Sequence, residues 1–259
     1  MAKPVHLTVR NLEDRIVLDG ILAINTLKDE RKIPGRIAGG MAVQGYTPSE
    51  THRGTIDVDY SLLWNGSCTS YKELCAPLVK FLNEKGYEIE FRKKGFAFEI
   101  VYKKDGTEGA FMIQHPHRSE NYFKRMKHTL EREVYHQRLV SRDGISFESL
   151  SPEDLIVKKI NRILTFSHSY GISIPHNHSL PDLRQNSDAI RADIVSRSGE
   201  AAPQDVALLR MLNDIYDIQC LNESVGINSR YLSEVLSEWE EVRGLEISGM
   251  MEEMHTHDA

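Results

Sequence analysis

Apolar residues in the N-terminal half recur with two periods, one typical of helices and one of strands. From Asn11 to Glu30 they return every three or four positions, which predicts an amphipathic helix that ends before Pro34-Gly35. From Thr55 to Leu63 they alternate with polar residues, as in a half-buried strand. Asp105-Gly106 predicts a tight turn between two further strands. One helix and three strands are predicted in this part of the chain: Tyr71–Lys85, Tyr87–Arg92, Phe96–Tyr102 and Ala110–His115. The last two are the strands that this turn joins.

The pattern changes after Gly144, where helical periods take over. Ser151-Pro152-Glu153-Asp154 is typical of a helix start, with serine as the N-cap, proline at the first helical position and acids near the positive end of the dipole. We predict four helices, the first followed by a loop over Phe166–Leu183: Leu155–Thr165, Ser187–Arg197, Gln204–Asn222 and Ser229–Val242. Strands followed by helices indicate an α+β fold. We expect an α/β domain over residues 1–145 and a helical domain over 146–259.

Composition is that of an ordinary globular protein. Of the 259 residues, 40% are hydrophobic and 27% are charged, which argues against wholesale disorder. No apolar run approaches the roughly 18 residues of a membrane helix, and the N-terminus lacks an apolar signal core. Cys68, Cys75 and Cys220 form no CxxC motif and are expected to be free thiols. We therefore expect a protein of the reducing cytoplasm, without a membrane partner.

Charge is distributed unevenly along the chain. The net charge of −6 does not suggest a general nucleic-acid coat. Residues 115–142 nevertheless hold seven Lys and Arg against three acids, and residues 231–259 hold eight acids against one arginine. Tyr122, Phe123 and Tyr135 lie within the basic stretch, which either contacts RNA by phosphate binding and base stacking or is an amphipathic helix with solvated lysines.

Asp57-Val58-Asp59, in the predicted strand Thr55–Leu63, is the pattern with the clearest chemistry. Residues i and i+2 of a strand point to the same face, so the two carboxylates lie close together and repel each other. A cation relieves that repulsion, and Mg²⁺ takes one or two carboxylates together with substrate phosphates. Gly39-Gly40 lies upstream, and glycines let the backbone approach a phosphate closely. Both patterns together indicate a site for a metal-bound phosphate chain.

These residues carry a family resemblance. Gly39-Gly40-Met41-Ala42-Val43, Gly45-Tyr46 and Arg53-Gly54-Thr55-Ile56-Asp57-Val58-Asp59 resemble the signature of the nucleotidyltransferase superfamily related to DNA polymerase beta, and within it the branch of AbiEii-type toxins. The resemblance implies a mixed sheet with flanking helices. It implies that Gly39 and Gly40 cradle the triphosphate of a nucleotide, with Arg53 and Thr55 beside it. It also implies that Asp57 and Asp59 bind Mg²⁺ and act in catalysis.

The resemblance extends into the helical half. Lys159, in the helix that begins at Ser151-Pro152, is similar to a family lysine that meets the nucleotide phosphates. Asp214 and Asp217 are similar to an Asp-x-x-Asp on a later helix. A lysine near three phosphates cancels charge that develops on the leaving pyrophosphate. The resemblance therefore implies catalytic roles for these three residues, and nucleotide binding for the lysine; the alternative interpretation is that all three are solvated charges on helix surfaces.

The sequence departs from the family at two positions. Met41 stands where many members have a hydroxyl residue, although some are apolar there. The superfamily has a third carboxylate on a strand beside the two aspartates, and Gln114 occupies that position in the sequence. Glu99 is the alternative metal ligand, and its other interpretation is a salt-bridged structural residue.

Two functions follow as expectations. The first is an enzyme that uses an NTP and Mg²⁺ to transfer a nucleoside monophosphate to an acceptor hydroxyl on tRNA or other RNA, a protein or a small molecule; as in toxin relatives, an antitoxin would be a partner. The second is a nucleotide-binding or partner-binding protein that retains the fold without turnover.

Overall fold

The structure is a computed structural model that describes residues 5–6, 14–55, 57–62, 71–94, 97–114, 120–175, 178–197 and 200–243. The strands in this part of the chain are β1 Val5–His6, β2 Gly35–Ala38, β3 Asp57–Leu62, β4 Glu88–Lys94, β5 Ala97–Lys104, β6 Thr107–Gln114, β7 Arg138–Arg142, β8 Ile145–Ser149 and β9 Glu200–Ala201. The helices are α1 Asp14–Arg31, α2 Gly39–Gln44, α3 Tyr71–Leu74, α4 Ala76–Glu84, α5 Glu120–Tyr135, α6 Pro152–Tyr170, α7 Leu180–Ser196, α8 Pro203–Ser224 and α9 Ser229–Arg243. The chain divides into two compact units, a sheet unit over Arg10–Ser151 and a helical unit formed by Met1–Val9 and Pro152–Ala259.

The sheet unit is built on one mixed sheet of seven described strands. Their order is β4-β5-β6-β3-β2-β8-β7, in which β3 is parallel to β6 and β2 is parallel to β8. The other neighbours are antiparallel, including β2 with β3. The predicted α+β class, with a mixed sheet, flanking helices and a helical C-terminal region, is therefore confirmed.

The two faces of this sheet differ in their chemistry. Val58 and Tyr60 of β3 are buried on one face, where Phe111 and Tyr102 of the neighbouring strands also lie. Helix α1 packs on that face, and the Tyr102 hydroxyl donates a hydrogen bond to the Ile16 carbonyl at 3.0 Å. Apolar burial of this kind contributes roughly 1.5–3 kcal/mol for each large side chain. The alternate residues of β3, Asp57 and Asp59, point to the opposite face.

The helical unit is held together by the packing of α6 and α7 on α8, and of α9 on α6. Polar contacts fix the start of α6: the Tyr231 hydroxyl donates to Asp154 at 2.9 Å, and the Asn228 backbone N–H donates to Glu153 at 2.8 Å. Val5–His6 pairs antiparallel with Glu200–Ala201 in this same unit. Val5–His6 therefore pairs within the helical unit rather than in the seven-stranded sheet.

Several element boundaries differ from those expected. The helix predicted over Tyr71–Lys85 is two helices separated at Cys75, with Pro77 in the first turn of the second. The predicted loop Phe166–Leu183 is helical at both ends, because α6 continues to Tyr170 and α7 begins at Leu180. The division between the units falls after Ser151 rather than after residue 145, since Ile145–Ser149 pairs into the sheet.

Candidate functional site

The aspartates of β3 share one face of the sheet. Asp57 and Asp59 are half-buried, whereas Val58 between them is buried on the face that α1 covers. Two residues along a strand span about 6.6 Å, so the carboxylates flank a common space. The two aspartates therefore share one half-buried face of β3, and their binding of a metal ion stays a prediction.

Gly39 ties the glycine turn to the aspartate pair. It follows directly on β2, whose last residue, Ala38, pairs with Asp59. Its φ is +68°, in the left-handed region that glycine adopts without strain. A Cβ at this position would overlap the Oδ2 atom of Asp59. Glycine is therefore required for both its backbone conformation and its lack of a side chain, and the turn lies directly against a carboxylate of the pair.

Gly40 lies against the two polar residues of the loop before β3. A Cβ on Gly40 would stand 2.8 Å from Nη2 of Arg53 and 3.2 Å from Oγ1 of Thr55. The loop is held by Gln44 of α2, whose amide donates to the Arg53 carbonyl at 2.7 Å. Gly39, Gly40, Arg53, Thr55 and Asp59 are therefore brought together around one turn, with a guanidinium and a hydroxyl beside half-buried backbone.

The strand beside β3 offers no carboxylate in register with the pair. On β6, Ala110 is paired with Asp57 and Met112 with Asp59. Gln114 pairs with Ser61, further along the strand, and only its backbone is described. Glu99 lies one strand further, on β5, where it pairs with Met112 and is buried. Its service as a metal ligand stays a prediction.

Glu108 is an acidic residue on the same face of β6 that the sequence interpretation missed. It alternates with Ala110, Met112 and Gln114, and its carboxylate pairs with the Lys103 ammonium at 3.2 Å. The signal was present, because the turn at Asp105-Gly106 allows β6 to begin at Thr107, but the predicted strand began only at Ala110.

The sheet face that holds Asp57 and Asp59 also has charged residues on the edge strand β4. Arg92 donates two hydrogen bonds to Glu90, at 2.7 and 2.6 Å, and these lower the pKa of Glu90 to about 2. Arg92 is also in register with Glu99, and its own pKa is raised by Glu90 first, then by Glu108 and Glu99. The guanidinium thus compensates acidic charge, in agreement with a salt-bridged structural role for Glu99.

Lys159, Asp214 and Asp217 form a buried ionic cluster in the helical unit. The Lys159 ammonium donates to Asp214 at 3.0 Å and to Asp217 at 2.7 Å, and Arg162 donates to both carboxylate oxygens of Asp214 at 2.6 and 2.5 Å. Burial by itself raises the pKa of Asp214, but Lys159 and Arg162 outweigh it and hold that pKa at about 2. The structure thus brings these three predicted residues together with each other, and the aspartates of β3 belong to the other unit.

The basic stretch is divided between a helix and a strand. Lys127 pairs with Glu131 on α5 at 3.6 Å, and Arg142 of β7 is buried with Met41 and Asp143 as neighbours. Tyr135 is 83% exposed. Of Tyr122 and Phe123 only the helical backbone is described.

The donor set fits a magnesium ion in part. Within the described ranges, no group of three or more His, Cys, Asp or Glu side chains is placed to hold a metal. Mg²⁺ does not require such a cage, because it is held by one or two carboxylates together with substrate phosphates and water. Asp57 and Asp59, beside the turn at Gly39, meet that requirement when a phosphate chain supplies the other ligands.

Comparisons with known proteins give only distant likenesses. No protein-family profile and no curated protein matches the sequence. Among solved structures, an antigenic nucleotidyltransferase-like protein from Paracoccidioides brasiliensis is 16% identical, with a TM-score of 0.49 over 96% of this chain and 95% of that one. The antibiotic-resistance factor ANT(2'')-Ia is 12% identical, with a TM-score of 0.38 over 95% of this chain and 100% of that one. The Megavirus polyadenylate synthase is 10% identical, with a TM-score of 0.36 over 94% of this chain and 46% of that one. At these scores the likenesses carry no argument about activity. The argument for a function of this chain therefore depends on the residues of the candidate site.

No helix in the described part of the chain has both the length and the apolarity to cross a membrane.

Proposed function

We propose that this chain is a nucleotidyltransferase that binds an NTP with Mg²⁺ and transfers its nucleoside monophosphate to an acceptor hydroxyl. The observation that carries the proposal is the fit of Gly39 against Asp59: a left-handed glycine whose missing Cβ leaves room for the carboxylate. Such an arrangement lets backbone N–H groups and an acidic metal ligand approach the same phosphate chain. A glycine turn that served only to reverse the direction of the chain would not need to lie against the acidic pair.

Each residue around the turn has a role that its chemistry suits. The backbone at Gly39 and Gly40 contacts phosphate oxygens. The guanidinium of Arg53 binds phosphate by charge-assisted hydrogen bonds, and Thr55 places a hydroxyl beside it. Asp57 and Asp59 would hold Mg²⁺, which when bound would neutralise phosphate charge and so favour attack at the α-phosphate. These side chains orient the triphosphate so that pyrophosphate is the leaving group.

A second candidate function is nucleotide binding without turnover. It is favoured by the register of β6, which places Ala110 and Met112 beside the aspartates where a further carboxylate would complete a metal-binding set. Without a general base in register with the aspartates on this strand, activation of the acceptor hydroxyl would have to depend on other groups.

The acceptor and the biological role are finer parts of the same proposal. We propose RNA, such as a tRNA 3′ end, a protein side chain or a small molecule as the acceptor. The resemblance to AbiEii-type toxins adds a role as the toxin of a toxin–antitoxin pair. Induced expression tests that role, since growth arrest would require intact Asp57 and Asp59 and would be relieved by the product of a neighbouring gene.

The central experiment separates binding from transfer. Calorimetry measures binding of each NTP with and without Mg²⁺, and α-³²P-labelled NTPs incubated with cell extract report label transfer to RNA, protein or small molecules. We expect Asp57→Asn and Asp59→Asn each to weaken Mg²⁺-dependent binding at least tenfold and to abolish transfer. Asp143→Asn is the matched control, because this exposed carboxylate lies in the β7–β8 turn of the same unit.

The outcomes distinguish the two candidates. Mg²⁺-dependent NTP binding with label transfer supports the enzyme, and binding without transfer supports the second function. If label transfer persists in the Asp57→Asn, Asp59→Asn double variant, or if no NTP binds with Mg²⁺, the site assignment is wrong.

A further inference from the structure

A polar cavity of about 350 Å³ lies in the sheet unit, at the start of α1. Its walls come from α1, from the turn between α4 and β4, and from the β5–β6 hairpin; the residues that matter here are Arg15, Asp19, Lys85, Tyr87, Lys104 and Asp105. Helix α1 covers the sheet face opposite to Asp57 and Asp59, so this cavity is separate from the candidate site. Its volume lies at the lower end of the range for small-molecule sites, about 300–1,000 Å³.

One wall of the cavity is rigid. Asp19 is buried, accepts a hydrogen bond from the Tyr87 hydroxyl at 2.8 Å and pairs with the Lys85 ammonium at 2.9 Å. The Asp19 carboxylate neutralises Lys85, and these contacts fix the wall of the cavity. Lys104 extends over the Tyr87 ring, with its ammonium 5.5 Å from the ring centroid, and donates to the Lys85 carbonyl at 2.7 Å.

The cavity retains unused cationic donors. Lys104 has three ammonium hydrogens, and its hydrogen bond to the Lys85 carbonyl uses one of them. Arg15, an exposed residue in the first turn of α1, also lines the cavity. Arg15, Lys85 and Lys104 oppose Asp19 and Asp105, so the cavity has a net charge of 3 − 2 = +1. An oxyanion in the cavity would be attracted by both the Arg15 guanidinium and the Lys104 ammonium.

We propose that this cavity is a second, independent site for a small oxyanion, a phosphate or a phosphorylated metabolite, bound by Lys104 and Arg15. Lys104 contacts the anion from the hairpin side and Arg15 from α1, with Tyr87 as the wall between them. Asp105, at the tip of the hairpin, opposes anion binding and limits its affinity, so its neutralisation strengthens binding.

The test uses inorganic phosphate and the full-length protein without Mg²⁺, at low ionic strength, followed by ¹⁵N–¹H NMR. We expect the amide signals of Gly86, Gly106 and Thr107 to shift in a saturable manner. Arg15→Gln and Lys104→Met should each weaken binding about ten- to a hundredfold, as for the loss of a charge-assisted hydrogen bond. Asp105→Asn should strengthen binding two- to fivefold, and Lys80→Met, which changes an exposed lysine elsewhere in the unit, should have no effect.

Other anions and sites define the remaining outcomes. Ribose 5-phosphate binding more tightly than inorganic phosphate identifies a phosphorylated metabolite as the ligand, and equal binding identifies phosphate itself. Shifts confined to Gly39 and Gly40, removed by Arg53→Gln, would assign the anion to the candidate active site and overturn the proposal. Affinity that Arg15→Gln and Lys104→Met leave unchanged would overturn it as well.

Discussion

Gly39→Ala tests the geometry on which the proposed function depends. Alanine would have to adopt the φ of +68°, which costs a residue with a Cβ about 1–2 kcal/mol. Its Cβ would also overlap Oδ2 of Asp59, and forcing a group into an occupied position costs about 1–3 kcal/mol. We therefore expect the variant to lose about 2–5 kcal/mol of unfolding free energy and to bind Mg²⁺-NTP at least tenfold more weakly, because Asp59 must move.

Gly40→Ala is the matched comparison. Gly40 lies in α2, where alanine favours helix by about 1 kcal/mol. Its Cβ would meet the movable tip of Arg53 at 2.8 Å and would stand 3.2 Å from Oγ1 of Thr55, which a small shift of that hydroxyl relieves. We expect nearly unchanged stability but weaker nucleotide binding, since the guanidinium is displaced. The two variants thus separate strain at the aspartate from loss of a phosphate contact.

Urea denaturation followed by circular dichroism measures the stability of both variants, and calorimetry with each NTP measures binding. If Gly39→Ala unfolds at the same urea concentration as the parent protein and binds Mg²⁺-NTP equally well, the turn is not coupled to the aspartates and the reasoning fails. Equal effects of the two substitutions on stability would also contradict it.

Further predictions concern the parts of the fold outside the turn. Lys159→Met should lower the unfolding free energy by about 3–5 kcal/mol, measured by urea denaturation, because it leaves Asp217 buried without its ammonium partner; an effect under 1 kcal/mol would show that the cluster is not structural. The pKa of Asp214 lies below its ordinary value of 3.8, so its stabilisation of about 2 kcal/mol is present above pH 4 and is lost as the pH falls through 2; thermal melts across that range check the loss, and Asp214→Asn should flatten it. Gly109→Ala should destabilise by about 1–3 kcal/mol, because its Cβ would overlap the Tyr102 ring, and calorimetry should show unchanged NTP affinity.

Local sequence patterns accounted for most elements of this fold. The alternation in Thr55–Leu63 correctly predicted β3, and the helical period in Asn11–Glu30 correctly predicted α1 within the described residues. The hairpin β7–β8 was not predicted from the sequence. Its turn, Asp143-Gly144, is nevertheless the same Asp-Gly pair as Asp105-Gly106, and both residues of each pair have a positive φ. Its strands are short and half-exposed, so their hydrophobic alternation is weak, and pairing of β8 with β2 joins them to the sheet.

The sequence by itself determined the acidic pair, its common face and the glycine turn, because strand periodicity and backbone freedom are local properties. Only the tertiary structure decided that Gly39 lies against Asp59, that Arg53 lies against Gly40, and that β6 places Met112 beside the pair. It likewise paired Lys159 with Asp214 and Asp217, residues more than 50 positions away in the chain. Register and long-range ion pairing depend on how distant segments meet, and no local pattern specifies that.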